Sequence, residues 1–186
     1  ASALHDELSS LRARRSNIEA RSVALRERMT EALSIDEEKL PFAGELIEVK
    51  KEEAKWEGAA ERLLHNFALS LLVPDAYYKN VSEWVDKNNL GGRLVYFRVR
   101  EKAAAPLPPL PARSLVEKLA LKEDSPLFSW LRSEALSRFN YVCCETMEDF
   151  RREPKAVTVN GQLKSNEKRH EKDDRYKIND RSRYIL

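Results

Sequence analysis

The chain is poor in the residues that usually announce a reactive site. Its 186 residues include two cysteines, three histidines and five glycines. The cysteines, Cys143 and Cys144, are adjacent, and neighbouring cysteines rarely bridge each other, so they are no disulfide framework. Beside Tyr141 and Val142 they read as small buried strand residues, which fits a reducing, cytoplasmic compartment. The lack of Cys-x-x-Cys removes the thiolate set of a structural zinc site. The lack of Gly-x-x-x-x-Gly-Lys-Ser/Thr removes a phosphate loop. No run of about 18 apolar residues exists, which excludes a helical membrane span. No charged-then-apolar leader opens the chain, and its abrupt ends, Ala1 and Leu186, are those expected of a piece of a longer parent.

Charge is abundant but balanced. With 33 Lys and Arg against 31 Asp and Glu, 34% of positions are charged at a net +2. Soluble domains average about 25% charge, so the excess must sit in parts with much surface per residue. The balance excludes a wholesale polybasic tail. At 42% apolar the chain can fill one modest core of roughly 100–150 residues.

The surplus begins in residues 1–33, which contain neither Gly nor Pro. Leu4, Leu11, Ile18 and Leu25 recur every seven residues, with Leu8, Arg15, Ser22 and Met29 offset by four. This alternation of four and three is a coiled-coil seam, apolar on one track and half polar on the other. An amphipathic helix lying on the domain is the alternative, and the strict sevenfold spacing favours the coil. The spacing thus predicts a coiled-coil arm over 1–33.

After residue 33 the pattern becomes mixed α/β. Strands are expected at 44–49, 69–73 and 93–99, and helices at 52–67 and from Pro74 through Val85. Ala103 to Pro111 carries four prolines in nine residues and reads as a stiff connector over 103–112, in preference to a ligand for a proline-reading domain. Beyond it the order recurs: helices at 115–121 and 126–139, a strand at 141–144, a helix at 146–152 capped by Thr146, and a strand at 156–159. Asn160-Gly161 is the type I′ hairpin dipeptide. The expected fold is α/β (α+β), with two pseudo-repeated lobes at 34–102 and 113–186.

Several segments resemble a known family. Trp56-Glu57-Gly58-Ala59-Ala60-Glu61-Arg62-Leu63-Leu64, Leu71-Leu72-Val73 and Leu90-Gly91-Gly92-Arg93-Leu94-Val95-Tyr96-Phe97 resemble the first half of an SMC hinge domain. Val157-Thr158-Val159-Asn160-Gly161-Gln162-Leu163 resembles the VT-x-x-G hairpin of its second half. Arg169 to Arg175 with Asp180 to Leu186 resembles the JetC-type subunits of Wadjet plasmid-defence systems, relatives of the MukB and MksB condensins. The resemblance covers about residues 34–186. It implies an SMC-hinge-like fold and a non-catalytic homodimerisation module without a cofactor. The ATPase heads and the other condensin-like subunits would then belong to the parent protein, in the bacterial cytoplasm near nucleoid or plasmid. One departure stands out: SMC hinges carry glycines after the second hairpin, and here Ser165-Asn166-Glu167-Lys168 has none.

On this resemblance the dimer interface falls on Gly91, Gly92, Leu94, Tyr96 and Phe97 in the first half, and on Val157, Val159, Gly161 and Leu163 in the second. Read without the resemblance, Gly91-Gly92 is as well explained by a turn needing positive φ. Lys164, Lys168, Arg169, Lys172, Arg175, Lys177, Arg181 and Arg183 face five acids in the same segment, an excess of three positive charges. They suit sequence-independent phosphate contact, or a solvated, salt-bridged loop. Tyr176 and Tyr184 are too few for a base-stacking platform. His170 with Glu171, Asp173 and Asp174 could be drawn as the acidic metal site of a nucleic-acid-processing enzyme, but consecutive loop residues seldom converge on one ion. A plain coiled-coil adaptor is the remaining alternative. His65 reads as a packed or surface histidine, and no nucleophile elbow appears.

Overall fold

The structure, a computed structural model, describes residues 18–100 and 107–186. The first two heptads of the expected arm and residues 101–106 of the proline connector lie outside the described residues. From residue 18 onward the arm is spent on the domain. Helix α1 (Ala20–Leu33) and the residues leading into it turn Ile18, Leu25 and Met29 inward, and Met29 is fully buried. Over this stretch the seam residues are part of the core, so the stripe of α1 lies on the domain. The sevenfold spacing cannot tell a coiled-coil seam from a docked helix, because both need one apolar stripe.

The two halves repeat one unit. In the first, a tight turn (Ala43–Leu46) leads into β1 (Ile47–Val49), followed by α2 (Glu57–Ala68), β2 (Leu71–Pro74), α3 (Asp75–Lys87) and β3 (Tyr96–Val99). In the second, the turn Leu115–Lys118 leads into β4 (Leu119–Leu121), α4 (Phe128–Phe139), β5 (Val142–Cys144), α5 (Met147–Arg152) and β6 (Ala156–Thr158). Each half therefore holds a parallel strand pair joined by a helix, β2–β3 and β5–β6. The equivalent strands β1 and β4 pair antiparallel, Glu48 opposite Ala120, and tie the halves together. The second half adds β7 (Leu163–Lys164) and β8 (His170–Glu171), giving the sheet order β5-β6-β7-β8. One large core runs through both halves, from Phe42 and Trp56 to Leu131 and Val157.

Three local differences from the expected elements have physical causes. Residues 115–121 are not one helix: Ser114 caps a short turn by accepting from the Val116 amide at 3.2 Å, and Leu119–Leu121 is drawn into the ladder with β1. Residues 43–46 are a turn, because the Glu45 carboxylate accepts from the Phe42 amide at 2.8 Å and pairs with Arg26. The hairpin at Asn160-Gly161 is not type I′. Among the described non-glycine residues positive φ occurs at Ser34 and Arg113, so Asn160 keeps a negative φ, while Gly161 stands at +85°. The Gly161 amide donates to Thr158 O at 3.0 Å, and the Thr158 amide to Gln162 O at 3.0 Å. This is the three-residue loop ending in a left-handed glycine.

The connector residues 107–111 are extended. Leu110 packs on the core and Arg132 donates to Pro108 O at 2.6 Å, while Leu107 stays exposed. No helix among the described residues is long and apolar enough to cross a membrane.

Both cysteines are buried and free. Burial pushes the Cys143 thiol up to about 12 and raises that of Cys144. Below that range the reactive thiolate is scarce. A disulfide reagent at pH 8 should accordingly show no fast phase with the native protein, and should modify both thiols promptly in denaturant. A rapid native reaction at either residue would contradict the placement.

Candidate dimerisation site

An open strand edge can receive another chain, and the parallel pair of the first half and the four-stranded sheet of the second each offer one. In the β2–β3 ladder the Leu71 amide donates to Val95 O at 3.0 Å. A parallel ladder engages alternate residues of each strand, so Val95, Phe97 and Val99 face β2. Tyr96 and Arg98 then turn their amide and carbonyl groups outward, and among the described residues these groups have no backbone partner. In the second half the Ser165 amide donates to Arg169 O at 3.1 Å, and Glu171 lies opposite Leu163. Antiparallel alternation then makes Lys164 and His170 a pair that does not exchange hydrogen bonds, with the His170 amide and carbonyl directed outward.

The expected interface residues fare unequally. Tyr96 sits on the open edge, and burial raises its phenol above the usual range. Phe97 turns its ring inward, 5.5 Å from Phe67 and 5.9 Å from Trp130, with the Arg138 guanidinium 4.8 Å over it. Leu94 is half-buried at the approach to the strand. Gly91, at φ +66°, is the turn residue, and Gly92 packs under the Arg21 side chain of α1. In the second half β6 and β7 are internal strands, because β8 occupies the outer side of β7. Val157 is fully buried, Val159 and Leu163 are half-buried, and Gly161 is covered. The edge that remains open is β8, which sequence reasoning placed in a charged loop. Its alternation is too short to register as a strand.

Gly161 is covered by the chain's own C-terminal segment. A Cβ there would lie 2.8 Å from Ile178 Cδ1. A Cβ on Gly58, in the first turn of α2, would strike Ile178 Cγ1 and lie 2.6 Å from Ile178 O. So the Gly58 turn of α2, the Gly161 hairpin and the C-terminal segment meet at Ile178. The strap is held further by Glu61, a buried carboxylate in α2 that accepts from the Ile185 and Leu186 amides at 2.9 and 2.7 Å. The Tyr184 hydroxyl donates to Ile178 O at 2.6 Å, and Arg181 pairs with Glu57 at 3.3 Å. Glu61 escaped sequence reasoning, although a charged residue between Ala60 and Leu64 on the apolar stripe of α2 was its signal.

The basic segment is rearranged by the fold. Lys164 is buried and donates from Nζ to Phe150 O and Arg151 O at 3.2 and 3.0 Å, closing the last turn of α5. It is lost to any phosphate. Arg169 pairs with Glu171, Lys172 with Asp174, Arg175 with Asp173, and Arg183 with Asp180 while stacking 3.9 Å over Tyr176. Lys168 and Lys177 are exposed and have no ion pair among the described residues. Hydrogen bonds from Arg175 hold the Asp173 carboxyl far below the usual range. The acids once drawn as a metal site are thus each engaged by a neighbouring cation, and no group of three or more potential ligands forms among the described residues.

A cavity of about 380 Å³ opens between α2, the hairpin and the strap. Part of its polar lining is committed: Glu61 to the strap amides, Arg62 to Tyr176 O, and Arg175 to Asp173. Burial lowers the His65 pKa there.

Neither a family model nor a curated protein matches this sequence. Solved structures do match in shape. The Pyrococcus furiosus Smc hinge domain with an extended coiled coil superposes with a TM-score of 0.56 at 19% identity, over 97% of this chain and 68% of that one. The isolated Pyrococcus furiosus SMC hinge domain gives 0.54 at 21%, over 88% and 89%. The asymmetric dimer of the Geobacillus stearothermophilus SMC hinge domain gives 0.50 at 15%, over 96% and 82%. At these identities the likeness shows the fold: this chain is folded as an SMC hinge domain.

Replacing Gly58 by Ala should gain about 1 kcal/mol of helix propensity, yet the new methyl meets both Ile178 Cγ1 and the strap backbone at Ile178 O. The expected net effect is a loss of about 1–3 kcal/mol in urea unfolding, the usual cost of overpacking, with faster trypsin cleavage at Lys177 to Arg183. A more stable, protease-resistant variant would refute the strap contact.

Proposed function

We propose that this chain is a hinge, the module that joins two copies of a longer SMC-like protein and does no chemistry of its own. The observation that carries the reading is the pair of unsatisfied backbone edges, one in each half: Tyr96 and Arg98 on β3, His170 on β8. An exposed edge is a liability unless something covers it. If β3 of one copy adds to β8 of a second, a twofold axis closes both pairs of edges together. The SMC hinge fold supports this reading, and one of the similar structures is itself a dimer. The absence of glycine from Ser165 to Lys168 points to pairing through strand edges and not through close backbone packing beyond them.

Within SMC-like proteins the C-terminal motif supports a JetC-type subunit of a Wadjet plasmid-defence complex. On that reading the protein is cytoplasmic and associated with nucleoid or plasmid. Its partners are other condensin-like subunits, and ATP is hydrolysed by head domains outside this chain. DNA is contacted electrostatically by the exposed cations of the C-terminal segment, led by Lys168 and Lys177. The ion pairs of Arg169, Lys172 and Arg175 lie within two residues and at the surface. Such pairs are worth little, about 0–1 kcal/mol, so a phosphate can replace the acid.

Sedimentation over a range of concentrations tests the dimer. Wild type should pass from monomer to dimer. Arg98→Pro and His170→Pro each remove an outward amide while sparing the internal ladder, and should each hold the chain monomeric with an unchanged far-UV spectrum. A wild type that stays monomeric at high micromolar concentration, or proline variants that dimerise normally, would sink the edge-pairing model.

For DNA, Lys168→Glu with Lys177→Glu should flatten the dependence of log affinity on log salt by about 2, since each lost phosphate contact removes roughly 0.9 from the slope. An unchanged slope would move the contact elsewhere.

A further inference from the structure

Helix α1 does more than fill the core; it also grips the turn that delivers β3. The Arg21 side chain lies on Gly92, where an added Cβ would be 3.0 Å from Arg21 Cδ. Seven residues on, and so on the same helix face, Arg28 donates to Asn89 O at 3.2 Å and stacks its guanidinium 5.2 Å over the Trp84 ring. The two arginines hold the two ends of one turn. Inside it the Asn89 side chain accepts from the Gly91 amide at 2.9 Å, and Gly91 takes the positive φ that completes the reversal. Among the described residues the backbone of Gly92, Arg93 and Leu94 makes no hydrogen bond to another element, and the next anchor is Val95 O on Leu71. The path into the open edge is therefore set at one end by β2 and at the other by α1.

The helix is well placed to act as that anchor. Leu25 and Met29 seat it in the core, and Arg26 ties it to Glu45 while lying 4.6 Å over the Phe42 ring. A helix moves as a body, so displacement along its axis moves Arg21 and Arg28 together. A shift by one residue, about 1.5 Å, is enough to take Arg28 out of hydrogen-bond reach of the Asn89 carbonyl.

We infer that Arg21 and Arg28 form a clamp through which α1 sets the conformation of the β3 edge, so that the direction of this helix regulates the pairing of a second copy. This rests on the dimer reading above. The coupling is reciprocal: a second copy bound at β3 steadies the turn and hence the seat of α1.

The test is the double variant Arg21→Glu/Arg28→Glu in the full chain, beside a charge-matched control, Lys39→Glu/Lys79→Glu, at exposed positions away from the turn. Hydrogen exchange at Leu94 to Val99 and the dimer dissociation constant are measured together. The clamp predicts exchange at least tenfold faster and dimerisation about tenfold weaker than in the control, with Ala156–Thr158 in the other half exchanging at the wild-type rate. Exchange and dissociation constant within twofold of the control would overturn it, and so would equal acceleration at Ala156–Thr158, which marks global loss of stability. If wild type itself never dimerises, the hinge reading falls, and the exchange rates at Leu94 to Val99 alone decide the clamp.

Discussion

The carboxylate of Glu61 is the contact on which the second half depends. It is buried on α2, where an unpaired charge would be costly. Two successive amides from the chain's end, Ile185 and Leu186, satisfy it. Hydrogen bonds to a buried charge are the strong kind, and removing the acceptor would strand two donors at about 1–3 kcal/mol each. With the end of the strap pinned, Ile178 is held over Gly58 and Gly161, and the hairpin loop is backed on its inner side. That hairpin carries β7, and β7 carries β8. The placement of the second open edge therefore traces back to one acid in the first half.

The first edge has a different support. β3 is held on one side by β2 and beneath by a group of rings, Phe97 against Phe67 and Trp130, with Phe139 a further 5.3 Å from Phe67. Trp130 and Phe139 belong to α4 of the other half. Each half thus stabilises the edge of the other: α2 and its glutamate serve β8, and α4 and its aromatics serve β3. Together with the β1–β4 ladder this exchange explains why the pseudo-repeat forms one core, and why neither edge strand would keep its shape in half a chain. The ionic zipper at the seam, Lys55 with Glu145 and Lys118 with Glu53, follows the same division, though its exposed member contributes little.

Much of this was legible residue by residue. The helical stripe of Ala59, Ala60, Leu64 and Phe67, the Thr146 cap and the strand at Ala156 to Thr158 have local causes and formed where periodicity and capping put them, although residues 51–56, expected to open the same helix, form a tighter turn broken at Glu53. The misreadings arose where a distant partner outweighed a local preference. Residues 115–121 have helical spacing, but Leu119–Leu121 is drawn out to pair with β1. Ile18, Leu25 and Met29 have coiled-coil spacing but face the domain's own core. Lys164 reads as one more surface cation but closes the end of α5 from inside.

Composition, periodicity and turn chemistry by themselves determined the class of fold, its two-part repeat and the absence of a phosphate loop or thiolate metal site, because each depends on residues close in sequence. Only the tertiary structure decided which strand edges stay open and which charges stay free. An edge is open only when no other strand reaches it, and a cation is free only when no carboxylate or carbonyl comes within bonding distance. Both are properties of what is absent nearby in space. The 34% charge at net +2 was visible from the start; that four of the C-terminal cations are answered by the segment's own acids, Arg181 by Glu57 and Lys164 by carbonyls, leaving Lys168 and Lys177 outermost, became visible only once the chain had folded over itself.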